Sequence, residues 1–525
     1  MRVAVIGSGL AAVATLNALV ARGLKPIVLD YGECLDTGRQ QLVDTLSALP
    51  PQQWAAAGRD ALCHNPTLAN KQAVPTKLAF GSDYFYGRPQ PLAPLLREAD
   101  MPPLSYAYGG LSVGWGGSAL PADACDMADW PLAARQLHGY YAQILARLPY
   151  SACADSLSLN FPLHKTGSDA AVRLSAGNRL LLAKMAASGL AAKDRVVFGQ
   201  ARLLLQLADT PAANACQYCG CCMSGCVYGA IYKASQDIDR LRAAQHIEYV
   251  GGVLVQELAE AAGQVRVSLV RAGGEPEVLT FDRVFVAAGA VGSTRLVLQS
   301  KRLYQQAVRL KSTGGFVMPL FSTQKMPSAW PHENTLPGVF LEFKVKGLSE
   351  HWVHTQLSTP NEMVLAKLGL AKETQGAWQS LKRLLSAHLL VAHCNLHSDH
   401  CNGYSLQLEQ AVNGPATLVA TPQQLAESRH ALKKTAQALF TLGRHWGCYA
   451  LLPFSQASAS FHVGGSLPMC ATPVLETDTD SDGRPKGWQR IHIVDSSVFP
   501  SLPGTTIGLL AMANAARIAS EVELS

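Results

Sequence analysis

The sequence predicts an α/β fold whose Rossmann-like domain is assembled from segments far apart in the chain. Three stretches carry that expectation. The chain opens on a β-branched run, Val3 to Ile6, that enters the turn Gly7-Ser-Gly9-Leu-Ala-Ala12. A second run, Val284-Phe-Val-Ala-Ala288, enters another glycine turn at Gly289. A third, Ile493-Val-Asp495, precedes an Ala-rich helical stretch that begins at Gly508. A strand feeding a glycine turn and then a helix is how an open parallel sheet meets a dinucleotide.

Each element has a local reason. Val3 to Ile6 suits a buried parallel strand. Leu10 to Arg22 has helical spacing and is closed by Gly23, and Pro26 to Asp30 supplies the next strand of a βαβ unit. Gly7 permits the tight turn, Gly9 lets backbone approach a pyrophosphate at the helix N-terminus, and Ala12 allows close helix–strand packing. Asp30, ending the second strand, is placed to accept from a ribose hydroxyl. This pattern alone does not separate NAD from FAD. Residues 35–105 read as loops with helical pieces, and 131–150 as a helix. Residues 247–288 hold three strand-like runs, fitting a small antiparallel excursion that returns to the main sheet. Residues 306–455 mix strands, such as 338–346 and 389–395, with helices, such as 422–442. The acidic turn Thr477 to Gly483 lacks the glutamate that an EF-hand loop requires and reads as a hairpin turn.

Composition narrows the class. Only 16% of the 525 residues are charged and 48% are hydrophobic, so much of the chain is buried or covered. The net charge of +6 comes without a run of Lys and Arg interleaved with aromatics, so no nucleic-acid partner is expected. No apolar run is long enough for a transmembrane segment. The apolar N-terminus reads as strand and helix rather than an export signal, which gives a cytoplasmic location as the expectation. Of the 13 cysteines, five fall between Cys216 and Cys226. The other eight are expected to be mostly small buried residues. Cys216, Cys219, Cys222 and Cys226 form C-x2-C-x2-C-x3-C, a spacing suited to iron–sulfur ligation. Zinc, metal-free thiols and a disulfide remain as alternatives for the same residues.

Two further motifs sit between the ends. Tyr108-Gly-Gly110-Leu-Ser112-Val-Gly114-Trp115-Gly-Gly117 is dense enough in glycine to press backbone against a ligand. Phe461-His462-Val-Gly-Gly465-Ser466-Leu-Pro-Met469 places one histidine beside a glycine turn. An imidazole titrates near neutral pH, which suits a proton acceptor.

Together these motifs resemble those of the glucose–methanol–choline (GMC) flavoprotein oxidoreductases. The resemblance implies a Rossmann-like FAD-binding domain built from residues 1–125, 206–305 and 456–525. It adds an α+β substrate domain from 126–205 and 306–455. It implies that Gly110, Ser112, Gly114, Trp115 and Gly117 cover the flavin, that the Val253 backbone meets adenine, and that Ala288, Gly289 and Asp495 complete the cofactor site. One branch of the family links FAD covalently through a histidine where this chain has Gly114, so a non-covalent FAD is expected. The implied reaction is oxidation of an alcohol or sugar hydroxyl by hydride transfer to flavin N5, with His462 as base. Gly504-Thr505-Thr506 stands where the family has a second His or Asn, so a threonine hydroxyl is the expected substitute. The second partner could also come from elsewhere, His393, His397 or His400 being conceivable, although these three read more readily as half-exposed strand residues.

The cysteine segment is similar to that of FAD-dependent sugar dehydrogenases, where C-x5-C-x3-C holds a [3Fe–4S] cluster. Cys216, Cys222 and Cys226 reproduce that spacing. A [3Fe–4S] or [4Fe–4S] cluster would pass electrons to an external acceptor or a redox partner protein. Two alternatives stay open at this point. One is an oxidase that returns electrons to oxygen without a cluster, and the other is a non-catalytic flavin or iron–sulfur redox module.

Overall fold

The computed structural model describes residues 1–63, 80, 82–85, 95–97, 104–164, 171–190, 195–211, 213–370, 377–410, 415–451, 454–455 and 461–524. Its organising element is a five-stranded parallel sheet. The strand order is Ile491–Ile493, Arg283–Val286, Val3–Ile6, Ile27–Leu29 and Glu248–Val250. Every neighbouring pair runs parallel. The first strand is buried along its whole length, as the unbroken β-branched run requires.

The helix Leu10–Ala21 follows the first strand, and its Ala11, Ala12 and Ala14 are buried. Small side chains there let the helix lie close to the sheet. The C-terminal helix Gly508–Glu521 packs directly against it. One apolar core joins Val5, Leu16 and Val28 from the N-terminal part to Ile493, Leu510 and Ala513 from the C-terminal part.

The excursion after the fifth strand position is antiparallel, with strands Val253–Ala261, Gln264–Arg271 and Pro276–Phe281. Val265, Val267 and Leu269 alternate inward, the period-two pattern of a half-buried strand. The strand Pro276–Phe281 was not separable in sequence from the return strand that follows it. Gly251 and Gly252 divide what reads as one run into two strands, Glu248–Val250 and Val253–Ala261.

A second, antiparallel sheet has the order Cys448–Ala450, Gly315–Ser322, Leu389–Asn395, Val353–Ser358, Val339–Phe343 and Val196–Gln200. Helices Ala176–Ala187 and Ser428–His445 lie against it. A third sheet joins Val463–Gly464, Ala307–Ser312, Gly403–Glu409, Thr417–Gln423 and Leu95–Arg97.

Two helices differ from expectation. Residues 131–150 give only a 3-10 turn, Ala134–Leu137, and a short helix, His138–Leu145. Pro149 keeps the residue before it out of helical geometry. The stretch 422–442 begins as a strand instead. Leu418 and Ala420 alternate inward through Thr417–Gln423, and the helix starts only at Ser428. The acidic turn closes on itself: the Asp480 carboxylate accepts from the backbone N–H groups of Asp482 and Arg484, both at 2.9 Å.

The first and return strands meet most closely at Gly7. It has φ +103°, and a Cβ there would lie 2.5 Å from the Ala287 carbonyl oxygen. Gly7→Ala is therefore expected to destabilise the fold by about 1–3 kcal/mol from backbone conformation alone. Thermal unfolding of the purified variant checks this, and its midpoint should fall below that of the parent chain.

Candidate functional site

A cavity of about 550 Å³ opens where the parallel sheet meets the antiparallel one. Three helices begin at its wall. The N-caps are Gly9, Ala288 and Ile507, and none has a side-chain cap or an acidic residue in the first turn. Helix N-termini leave backbone N–H groups unsatisfied and carry partial positive charge. Gly9, Leu10, Gly289, Ala290 and Gly508 all line the cavity, so the donors face a common space suited to an anion. Arg295 is the only Lys or Arg among the described residues lining it.

The glycine turns bring backbone up to this space. Gly110 has φ +58°, and a Cβ there would lie 3.2 Å from the Gly9 Cα. The turn around it is held by hydroxyls. Ser8 Oγ accepts from Gly109 N at 2.9 Å, while Ser112 Oγ donates to Gly109 O at 2.6 Å and accepts from Ala234 N at 2.9 Å. Trp115 Nε1 donates to Tyr232 O at 2.6 Å, which fixes the indole at the cavity wall. A side chain at Gly114 would lie 2.6 Å from the Phe85 ring, so packing fills that position.

Asp30 is buried and accepts from Ser8 Oγ and, at 3.0 Å, from Tyr249 Oη. Burial raises its pKa to about 6, and the hydrogen bonds offset only part of that rise. Val253 N donates to the Asp30 carbonyl at 3.2 Å, and Val253 lines the cavity next to it. Asp495 also lines the cavity. Its carboxylate accepts from Ser293 Oγ and from both Oγ and N of Ser497, at 2.6 and 3.0 Å. Burial again raises its pKa. Ala288 and Gly289 face the same space. One expected contact lies elsewhere: Gly117 backs onto the Leu204 backbone and does not line the cavity, while Ala12 is fully buried in the core, where it packs helix against sheet.

His462 reaches the cavity from the other side. Its carbonyl accepts from Thr313 N at 3.1 Å, and the strand Val463–Gly464 after it pairs with Ala307–Ser312. Ser496 Oγ donates to Val463 O at 2.8 Å and Gly465 N donates to Ser496 O at 3.0 Å, which ties His462 to the Asp495 turn. Burial pushes the His462 pKa down to about 3, with the imidazoles of His354 and His393 adding to the effect. The ring is therefore neutral and able to accept a proton.

The threonine pair divides. Thr506 lines the cavity, with Oγ1 accepting from Leu120 N at 3.4 Å. Thr505 is fully buried, does not line it, and its Oγ1 has no hydrogen-bond partner among the described residues. No side chain fits at Gly504, where a Cβ would lie 2.8 Å from two backbone oxygens, those of Trp352 and Asn395.

The strand Leu389–Asn395 supplies what the sequence reading under-ranked. Leu390, Ala392 and Cys394 enter the core, while Val391, His393 and Asn395 face the cavity. The signal was present as polar residues at period two in an otherwise apolar strand. Of the three histidines read as strand residues, only His393 is one. His397 and His400 lie in the 3-10 turn Ser398–His400 and its N-cap, and His397 is buried.

On the next strand Gln356, opposite His393, also lines the cavity. Gln356 Nε2 donates to His354 Nε2 at 3.1 Å, and His354 Nδ1 lies 2.6 Å from Glu342 Oε1. Burial raises the pKa of Glu342, and its Oε2 has no hydrogen-bond partner among the described residues.

The cysteine segment abuts this cavity. Met223 and Thr335 line it, and Thr335 N donates to Cys222 Sγ at 3.4 Å. Asn334 Nδ2 donates to Cys216 Sγ at 3.5 Å. Burial raises the thiol pKa values of Cys216, to about 11, and of Cys222 and Cys226, whereas hydrogen bonding from Cys221 lowers that of Cys219. Among the described residues no three of these sulfurs lie within 4.8 Å of one another. A single tetrahedral zinc with bonds of about 2.3 Å needs sulfurs roughly 3.8 Å apart, so a closed zinc site is not preformed. Cys221, the fifth cysteine, instead lies 3.2 Å from Cys63 Sγ. Of the eight scattered cysteines only Cys394, Cys401 and Cys448 are buried, fewer than expected, and Cys34 is exposed.

Residues 407–515, which include His462 and Asp495, match the family model described as GMC oxidoreductase. No curated protein matches the chain. Among solved structures, the crystal structure of pyridoxine 4-oxidase from Mesorbium loti matches with a TM-score of 0.61 and 14% identity. The match covers 99% of this chain and 98% of that one. The chain is therefore similar in fold to that neighbour along nearly its whole length, and residues 407–515 are similar to the GMC oxidoreductase C-terminal family model.

Proposed function

We propose that this chain oxidises an alcohol or sugar hydroxyl to a carbonyl with FAD as two-electron acceptor. The observation that carries the reading is one shared wall: the glycine cradle at the start of the chain and His462 near its end line the same cavity. The family match and a structural neighbour named as an oxidase support flavin-dependent oxidation. The cradle fits FAD because three uncapped helix N-termini face a space from which side chains are excluded at Gly7, Gly110 and Gly114. The helix beginning at Leu10 would hold the pyrophosphate, and Asp30 a ribose hydroxyl. When bound, FAD supplies the electron sink. On this reading residues 1–125, 206–305 and 456–525 form the flavin domain, and 126–205 and 306–455 the substrate domain.

The protein's own part is the proton. Neutral His462 accepts the hydroxyl proton as the C–H hydrogen leaves with its electron pair. His393 takes the position of the missing second His or Asn and hydrogen-bonds the substrate oxygen. Gln356, held by the Glu342–His354 pair, flanks His393 across the strand pair. Thr506 contributes a hydroxyl at the cavity wall, and Thr505 has only a packing role.

On this reading Cys216, Cys219, Cys222 and Cys226 would hold an iron–sulfur cluster, which would supply an electron path to an external acceptor. What favours a cluster over zinc is the C-x2-C-x2-C-x3-C spacing in the sequence. N–H donors to Cys216 and Cys222 and the contact between Cys222 and a residue of the cavity wall also support it. Hydrogen bonds to cluster sulfurs tune their potential.

Single-turnover flavin bleaching by a reactive alcohol tests the catalytic assignment. His462→Ala should slow it by about a hundred- to ten-thousand-fold. His393→Ala removes one hydrogen bond of about 0.5–1.5 kcal/mol and should slow it roughly two- to twelve-fold. An unchanged rate in His462→Ala would sink the assignment and favour a redox module.

The buried His462 also sets the pH profile. Its folded-state pKa, about 3, lies below the ordinary value. The acid limb of kcat/KM should therefore fall well below about 6.5. The same shift makes protonation favour the unfolded chain, so His462 withdraws stability as pH falls through about 6.5 toward its folded pKa. A rate profile with an acid limb at the ordinary histidine value would contradict this.

Iron and sulfide analysis of anaerobically purified protein tests the cluster. About three or four irons per chain are expected, and Cys222→Ser should lose them while keeping FAD. Iron-free protein with full activity toward its acceptor would leave the cysteine segment without a redox role.

A further inference from the structure

A second constellation of ionisable side chains lies behind the loop that carries Thr505 and Thr506. It consists of His351, His397 and Asp399, with Asp126 beneath them. None of the four lines the flavin cavity. Among the described residues, no other trio of His, Cys, Asp or Glu side chains gathers its ligand atoms within 4.8 Å of one another. We propose that His351, His397 and Asp399 bind a divalent transition-metal ion of the zinc class, which braces the Thr505–Thr506 loop.

The geometry has the two layers that metal sites need. In the inner layer, Asp399 Oδ2 lies 3.6 Å from His397 Nδ1 and 4.0 Å from His351 Nε2. The other Asp399 oxygen is 3.7 Å from Lys311 Nζ, which leaves Oδ2 for a metal. In the outer layer, the remaining nitrogen of each ring meets Asp126. His351 Nδ1 is 3.4 Å from Asp126 Oδ1, and His397 Nε2 is 3.3 Å from the Asp126 backbone oxygen. A metal-bound histidine characteristically donates its second N–H to a carboxylate or carbonyl, which fixes the tautomer that points the lone pair at the metal. Here Asp126 lies opposite both rings, although in this arrangement His351 Nδ1 makes no hydrogen bond among the described residues.

Asp126 supplies an independent observation. It is fully buried, and its Oδ1 accepts from Trp352 N at 3.0 Å. Its Oδ2 has no hydrogen-bond partner among the described residues. A buried carboxylate is expensive, and the imidazole of His351 faces this one at 3.4 Å. A dication held by His351 would compensate it through the polarised imidazole.

The two rings now stack in parallel, with centroids 3.7 Å apart and planes 6° from coincidence. Asp399 N donates to His397 Nδ1 at 3.3 Å, a contact the metal would replace. Reaching bond lengths of about 2.0–2.2 Å requires the rings to splay apart. Asp399 is 46% exposed and His351 22%, so the site opens to solvent and a metal can enter. Two imidazoles and one carboxylate suit zinc or a neighbouring transition ion better than calcium or magnesium, which prefer all-oxygen sets.

The bracing role follows from the residue between the ligands. Ser398 N donates to Leu502 O and Leu502 N donates to Ser398 Oγ, both at 2.9 Å. Lys311 Nζ also donates to Pro500 O. Fixing His397 and Asp399 therefore fixes the segment that leads into Thr505 and Thr506.

Zinc titration by calorimetry tests the site, using flavin-loaded protein stripped with a chelator. Zinc taken up by the cysteine segment is subtracted with the Asp399→Asn variant, in which that segment is intact. One zinc per chain beyond that is expected, with a rise in the thermal midpoint. Asp399→Asn, at an exposed position, should abolish this binding and that rise. Asp126→Asn should weaken binding by about ten- to a hundredfold. Cobalt gives a second readout: d–d absorption beyond the flavin bands should appear in the parent and vanish in Asp399→Asn. The absence of zinc binding, or zinc binding unchanged in both Asp399→Asn and His351→Ala, would overturn the proposal.

Discussion

Everything at the cavity depends on one edge-to-edge pairing of backbone. The strand Arg283–Val286 lies between the first strand of the chain and the last. Val284 is in register with Ala4 on one side and Ile491 on the other. These hydrogen bonds put three strand-to-helix turns side by side. If that pairing shifted, the three helix N-termini would no longer converge, and their partial charges would point at separate places. Gly7 is where this constraint is tightest, because the backbone of the return strand occupies the space of a side chain.

The opposite wall obeys a different rule. There an antiparallel sheet divides its residues between core and cavity by simple alternation. Val353, Leu357, Leu390 and Cys394 are core, and Gln356, His393 and Asn395 face the cavity. This gives the site two characters. The wall of helix N-termini is positive and built of backbone, whereas the antiparallel wall is neutral and built of side chains. Burial keeps His462 uncharged, and an uncharged histidine is the one that can take a proton.

The sequence was most legible where one residue type is forced by local geometry. The glycine turns, the strand Val3–Ile6 and the Asp30 position could be read because a pyrophosphate cradle tolerates few alternatives. His462 was legible through its neighbours, since a histidine alone says little. The antiparallel wall was harder. His393 is separated by more than a hundred residues from the glycine cradle it faces, and its direction depends on strand register, which a single strand does not specify. Thr505 and Thr506 were read as equivalent because they are adjacent, yet one faces the cavity and the other is buried away from it. The constellation around Asp126 was invisible for the same reason. Its members come from a 3-10 turn, a bend and a second 3-10 turn, none with a recognisable spacing.

The shared core of the two chain ends has a bearing on how the molecule is made. A ribosome delivers the first βαβ unit early, but the strand Ile491–Ile493 and the helix Gly508–Glu521 emerge last. Until then the nascent chain exposes the apolar flank of Arg283–Val286 and the face of Leu10–Ala21 that the final helix covers. Contacts closed over nearly the full length of the chain are slow to form and leave sticky surface exposed meanwhile. The N-terminal half therefore has no complete core of its own until the strand Ile491–Ile493 and the helix Gly508–Glu521 have docked on it.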